Sequence, residues 1–154
     1  MSISAIAVFT GKIEGTVRFT EDKEDVIIDI HIRGLKKNTK HGFHVHECGD
    51  MSDKCESMCA HFNPYQKDHG GPKDTIRHVG DLGNLIADAK GVAKYTIRDS
   101  IIRLRGTKAN IIGRGLIIHA DEDDLGKGGQ SDSLTTGHAG KRIACAVIGY
   151  ARPI

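Results

Sequence analysis

The 154 residues contain no tryptophan, no basic run and no long apolar stretch. The apolar segments fall well short of the ~20 residues that a membrane-spanning helix needs, so the chain reads as no integral helical membrane protein. Lysine and arginine number 22 against 20 acids, a net charge of +2 with both signs interspersed. That balance leaves no electrostatic footprint for nucleic acid or a membrane surface. The opening MSISAIAVFTGK lacks the charged start and the apolar run of a signal peptide. The resulting expectation is a soluble, cytoplasmic protein. Candidate helices are few, and 19 glycines favour a turn-rich, all-β chain. Length and a 38% hydrophobic content fit one domain over residues 1–154, without repeat or linker.

Short strands recur at regular spacing: Ser4–Thr10, Ile13–Thr20, Asp25–Arg33, Lys40–His46, Leu82–Ala87, Val92–Asp99, Arg114–His119 and Lys141–Tyr150. Alternation of apolar and polar residues is clearest in Gly15-Thr16-Val17-Arg18-Phe19 and in Ile28-Asp29-Ile30-His31-Ile32-Arg33. Turn residues separate them at Thr10-Gly11-Lys12, Ala89-Lys90-Gly91 and Arg105-Gly106-Thr107. Eight such strands predict an antiparallel sandwich or flattened barrel. Lys23-Glu24-Asp25 and the acidic run at 121–124 read as solvated turns.

The stretch from His41 to Asp81 holds six of the nine histidines and three of the four cysteines. It opens as a strand in which His44 and His46, at i and i+2, share one face while Phe43 and Val45 turn to a core. Glycine, proline, aspartate and serine then dominate, and a long loop carries His61, His69, His78 and Asp81. Loops of more than ~15 residues without their own secondary structure are uncommon and usually functional or disordered. Any single histidine here could be an exposed loop residue. The strand pair, the loop cluster and a later strand-end His119 together point to metal. Imidazole suits Zn, Cu, Fe and Ni, and a carboxylate adds a harder ligand. The donors exceed one tetrahedral centre, so two adjacent centres are expected, one all-nitrogen and one mixed N/O.

GFHVHECGD, HFNP, HGGPKD, RHVGDLGN, DDLGKGG and GHAGKRIAC occur in an order and at a spacing that resemble the copper/zinc superoxide dismutase family, from about Ala5 to Ala151. The resemblance implies a Greek-key flattened barrel or Ig-like sandwich with two long functional loops. It implies copper held by His44, His46, His61 and His119, and zinc held by His61, His69, His78 and Asp81, with His61 bridging. It further implies dismutation of superoxide to dioxygen and hydrogen peroxide, Asp123 joining a copper-side to a zinc-side histidine, and Arg142 orienting the anion. His41 would be structural, bonded to nearby backbone. Partners implied are the superoxide anion, a second copy of the chain and a copper-delivery protein. The dimer surface would use the loop at Cys48-Gly49-Asp50, the turn at 110–113 and the last strand, with Ile112, Ile148 and Tyr150 as an apolar patch.

Four cysteines allow three complete pairings. The resemblance selects Cys55 with Cys145, a closure over ~90 residues worth about 4–5 kcal/mol in the chain-entropy picture. Cys48 and Cys59 depart from the family pattern, and a role as small buried hydrophobes weighs at least as much as a redox role. Cys59 is near enough in sequence to Cys55 to offer a competing partner.

In the loop Ala120–Gly140, Asp121, Asp123 and Gly126 match calcium-loop positions one, three and six, but Leu125 and Asp132 break that pattern. Gly126-Lys127-Gly128-Gly129 lacks phosphate-loop spacing. Asp124 has no assignable role, and solvation is expected for it. Arginine suits anion orientation because it stays charged and presents planar donors. Thr135 and Asp121 stand where the family commonly has basic residues, which predicts weaker steering of the anion, with Lys141 a counterweight. A copper-delivery or metal-storage protein on the same domain is the alternative. Such relatives usually lose a copper ligand, the zinc aspartate or the arginine, and this chain keeps all of them.

Overall fold

A computed structural model describes residues 2–153. Nine strands are found among these residues: β1 (Ser4–Thr10), β2 (Glu14–Asp22), β3 (Asp25–Arg33), β4 (Lys40–His46), β5 (Asp81–Ile86), β6 (Ala93–Asp99), β7 (Gly115–His119), β8 (Arg142–Val147) and β9 (Gly149–Tyr150). They form two antiparallel sheets, ordered β6-β3-β2-β1-β9 and β5-β4-β7-β8. The expected all-β sandwich is therefore found, and the sheets do not close into a barrel. A single 3-10 turn at Glu56–Met58 interrupts the first long loop.

Alternation places the core. Val17 and Phe19 of β2, and Val26, Ile28, Ile30 and Ile32 of β3, turn inward against Phe43 and Val45 of β4 and Leu116 and Ile118 of β7. At period two, the remaining residues of β4 and β7 face the other side of their sheet. His44 lies opposite Ile117 and His46 opposite Gly115 on the neighbouring strand, while His119 lies opposite Arg142. Thus His44, His46, His119 and Arg142 share the outer face of the four-stranded sheet, and two loops cover it.

The last expected strand, Lys141–Tyr150, divides in two. Ile148 is wholly buried and exchanges backbone bonds with Gly113 and Arg114, so the chain leaves one sheet there and enters the other as β9. This corrects the expected dimer patch, since Ile148 belongs to the core and is not available at the surface. Ile143, Val147 and Tyr150, 42%, 39% and 67% exposed, are the large apolar side chains that segment does present.

Each covering loop joins neighbouring strands and is tied down locally. Residues 47–80 return beside β4: Glu47 N–H donates to Ala60 O at 2.9 Å and Phe62 N–H to Val45 O at 2.8 Å, with His46 and His61 as a bridge pair. Buried Arg77 organises the far end, donating to the carbonyls of Pro72, His78 and Val79 and to Asp99 Oδ1 at 2.7 Å. Asp99 spends its other oxygen on the N–H groups of Ile101 and Ile102. Cys55 and Cys145 form the implied disulfide, pinning the loop to β8 across 90 residues.

Removing one partner of a buried ion pair leaves an uncompensated charge, typically costing about 3–5 kcal/mol. Asp99→Ala should therefore lower unfolding free energy by about that amount in urea denaturation, because Arg77 has no route to solvent. A loss below about 1 kcal/mol would show that the loop does not depend on the pair.

Candidate metal centre

Seven of the residues singled out by sequence meet beneath the two loops. The donor atoms of His44, His46, His61 and His119 lie within 4.8 Å of one another, as do those of His44, His61, His69 and Asp81. His78 joins the second group: its Nδ1 is 3.0 Å from His61 Nδ1 and 3.3 Å from Asp81 Oδ1. All of these side chains are buried.

The hydrogen bonding divides each ring into a held nitrogen and a free one. His44 Nε2 donates to Asp123 Oδ2 at 2.6 Å, His46 Nδ1 to Cys59 O at 2.8 Å and His119 Nδ1 to Gly140 O at 3.1 Å. The opposite nitrogens, His44 Nδ1, His46 Nε2 and His119 Nε2, together with His61 Nε2, have no partner although fully buried. An unpaired buried polar atom is costly, and four converging lone pairs form the all-nitrogen donor set that copper favours. The residues present therefore fit a copper ion.

His61 differs from the other three. Its Nδ1 turns the opposite way, 3.0 Å from both His78 Nδ1 and Asp81 Oδ1. His69 Nδ1 reaches the same oxygen at 2.9 Å. Three imidazole nitrogens and one carboxylate oxygen around a single point fit zinc, which takes tetrahedral N/O sets. Two imidazole nitrogens 3.0 Å apart can share only one proton, so a cation satisfies that contact better than a hydrogen bond does.

Electrostatics agree with this division. Burial pushes His44, His46 and His61 below the usual histidine range, aided at His44 and His46 by neighbouring imidazoles. Burial likewise carries His119 down to about 4. These rings are neutral at physiological pH and keep their lone pairs for a ligand. Burial opposes a charge on His69 too, but its bonds to Asp123 and Asp81 prevail and raise it to about 9. Burial would raise Asp81, yet contacts from His61, His69 and His78 hold it well below the usual carboxylate range.

Asp123 couples the two sets, with Oδ2 on His44 and Oδ1 on His69 at 2.7 Å. It is buried rather than part of a solvated acidic turn. Sequence reasoning did not single out Asn84, which brackets Asp123 by accepting its N–H at 2.7 Å and donating to its carbonyl at 3.0 Å. Only its place three residues after Asp81 in the quoted RHVGDLGN motif hinted at it. Asp124 is also not solvated: it is half-buried, accepting from Ser133 Oγ and from Gly126 N–H. Gly137, at φ 73°, is required beside Asp123, because a Cβ there would meet Asp123 Oδ1 and His69 Nε2. His41 is held by Thr39 Oγ1 and by the carbonyl of His119.

Arg142 lies half-buried at the rim. Its guanidinium donates to Cys55 O at 2.9 Å and to Cys59 O at 2.6 Å. It lines an open cleft with His46, His61, His119, Lys141 and Thr135. The sequence leaves the direction of Lys141 open; it lines the same cleft as Thr135. Cys48 and Cys59 are not the buried hydrophobes expected, being half-buried and exposed.

The family model described as copper/zinc superoxide dismutase matches residues 13–148. The Cu-Zn superoxide dismutase of Paramecium bursaria Chlorella virus 1 is 63% identical over 150 residues, covering 97% of this chain and 80% of that protein. That of Yarrowia lipolytica is 52% identical, covering 96% and 97%. The extracellular Cu-Zn superoxide dismutase of Drosophila melanogaster is 49% identical, covering 97% and 86%. Among solved structures, the clock protein EA4 superposes with a TM-score of 0.93 at 45% identity, covering 96% of this chain and 94% of that one.

The two faces of His61 generate a testable asymmetry. In copper–cobalt protein, His61→Ala should abolish magnetic coupling between the metals, read by electron paramagnetic resonance. His69→Ala should empty the N/O site first and leave copper bound, read by elemental analysis. Equal loss of both metals in both variants would contradict the bridge.

Proposed function

Because the chain belongs to the copper/zinc superoxide dismutase family, we propose that its outer-face histidine cluster converts superoxide to dioxygen and hydrogen peroxide. The observation that carries this reading is the set of four unpartnered imidazole nitrogens beside an N/O cluster that shares His61. Copper held by His44, His46, His61 and His119 supplies the one-electron chemistry, one superoxide being oxidised and the next reduced, while zinc held by His61, His69, His78 and Asp81 has no redox chemistry of its own.

The chain's own residues do the rest. Each copper-side ring is fixed through its held nitrogen, which sets tautomer and direction before a metal arrives. The reaction consumes two protons for each peroxide made, and His61 Nε2 is the buried atom positioned to hold one of them. Its Nδ1 meanwhile stays with Asp81 and His78. Arg142 is held by the carbonyls of Cys55, Glu56 and Cys59 while it lines the cleft, and its remaining donors align a small anion. Glu56 and Asp132 also line that cleft, which tempers its positive field.

The same reading extends to assembly and location. A two-fold dimer is proposed through the loop at Cys48-Gly49-Asp50, the turn at Ile112 and the last strand. Its support is the exposed Tyr150 and Val147. A monomeric mass by sedimentation at micromolar concentration would sink this interface. A reducing cytoplasm fits the two free thiols, since oxidising compartments pair them. A copper-delivery partner suits ligands this deeply covered.

Arg142→Ile should lower the second-order rate with superoxide by roughly 10- to 100-fold, the size of one hydrogen bond to a charged group. Thr135→Lys should raise the rate at low salt and steepen its fall with ionic strength, because screening acts beyond ~10 Å at 0.1 M. Pulse radiolysis across ionic strength measures both. Unchanged slopes in Thr135→Lys would reject steering through this position.

A further inference from the structure

Cys48 and Cys59 are brought together where the first long loop returns beside β4. His46 and His61 form a bridge pair flanked by the bonds Phe62 N–H to Val45 O and Glu47 N–H to Ala60 O. Beyond that pair the register slips at Cys59, whose backbone is not extended, and Cys48 comes to lie beside the Met58–Cys59 step. Cys48 N–H bonds Met58 O at 3.2 Å, which closes the segment around the two thiols.

Cys59 also occupies an unusual backbone conformation, φ 65° and ψ −146°. This region is nearly restricted to glycine, and a side chain there costs of order 1–3 kcal/mol. A glycine would relieve the strain, yet the chain places a thiol there. The Cys48 thiol has the Cys59 thiol as a side-chain neighbour. Cys59 itself is exposed.

The Cys59 carbonyl is the acceptor shared by His46 Nδ1–H at 2.8 Å and Arg142 Nη2–H at 2.6 Å. Its neighbour Ala60 lines the cleft. Whatever moves Cys59 therefore acts on one copper-side ring and on the anion-orienting arginine together.

We propose that Cys48 and Cys59 are a peroxide-oxidisable dithiol beside the metal cleft, closing to a second disulfide and displacing the carbonyl that positions His46 and Arg142. As a response to the protein's own product, the proposal rests on the dismutase reading. The Cys59 thiolate attacks one oxygen of hydrogen peroxide, the O–O bond breaks, and hydroxide leaves. Cys48 sulfur then attacks the resulting sulfenic acid: the S–S bond forms, the S–O bond breaks and a second hydroxide leaves, and the two thiol protons convert both hydroxides to water. Two electrons pass from the thiols to one peroxide, with no other reactant.

The test adds hydrogen peroxide in small molar excess to the metal-loaded protein, alkylates free thiols in denaturant, and reads intact mass and non-reduced peptide maps. Alkylatable thiols should fall from two to none per chain. A Cys48–Cys59 linked peptide should appear with the Cys55–Cys145 link retained. In Cys48→Ser the reaction should stop at a Cys59 sulfenic acid, trapped by dimedone. Persistence of both thiols, a link from Cys59 to Cys55 or Cys145, or oxidation of Cys59 to sulfinic acid without a link would each overturn the proposal. Superoxide consumption is measured separately on the untreated sample. A protein that forms the bridge but consumes no superoxide would fail the function and not the dithiol.

Discussion

Everything at the centre depends on one requirement: a buried imidazole that is to bind a metal must be neutral, with one nitrogen pinned and the other free. Burial supplies the neutrality by depressing the basicity of His44, His46, His61 and His119. The pinning comes from acceptors on different parts of the chain, a carboxylate for His44 and main-chain carbonyls for His46 and His119. His61 meets the requirement differently, because its second nitrogen serves another set of donors. The two sites are therefore one hydrogen-bonded unit, with Asp81 and Asp123 as its buried carboxyl groups.

That requirement explains why so much of the fold serves the loops. The sandwich core is ordinary alternation, but Arg77 and Asp99 spend a buried ion pair and several carbonyl bonds holding a segment with no regular structure. His69 N–H donates to Leu134 O, which ties the first loop to the second. Asn84 then fixes Asp123 from the side of β5. Loops otherwise sit at the low end of local stability. Here they must hold rings within a hydrogen bond's tolerance, so they are braced as firmly as strands.

The Cys55–Cys145 disulfide has a second consequence through geometry. Arg142 begins β8 three residues before Cys145, and its guanidinium binds the carbonyl of Cys55 on the other half of the bridge. The arginine is thus spanned by a covalent link at one end and by the Cys55 and Cys59 carbonyls at the other. For the anion-orienting role proposed for Arg142 this is a gain, since the ordering cost is then already met by folding.

The amino-acid sequence by itself determined the strands and the identity of the donors. Period-two alternation in Ile28–Arg33 and the His44–His46 pair dictate which side chains face a core and which face outward, because the pleat leaves no choice. The density of histidine after β4 announced a metal cluster, and the quoted motifs carried its likeness to a family. Tertiary structure alone decided the rest. It made Asp124 an interior acceptor and not a solvated one, and it put Ile148 into the core where the last strand changes sheets. It set Cys48 beside the Met58–Cys59 step, and it assigned Asn84 to Asp123. Each of these depends on contacts between segments that no local pattern encodes, whereas alternation and donor chemistry are properties of neighbouring residues.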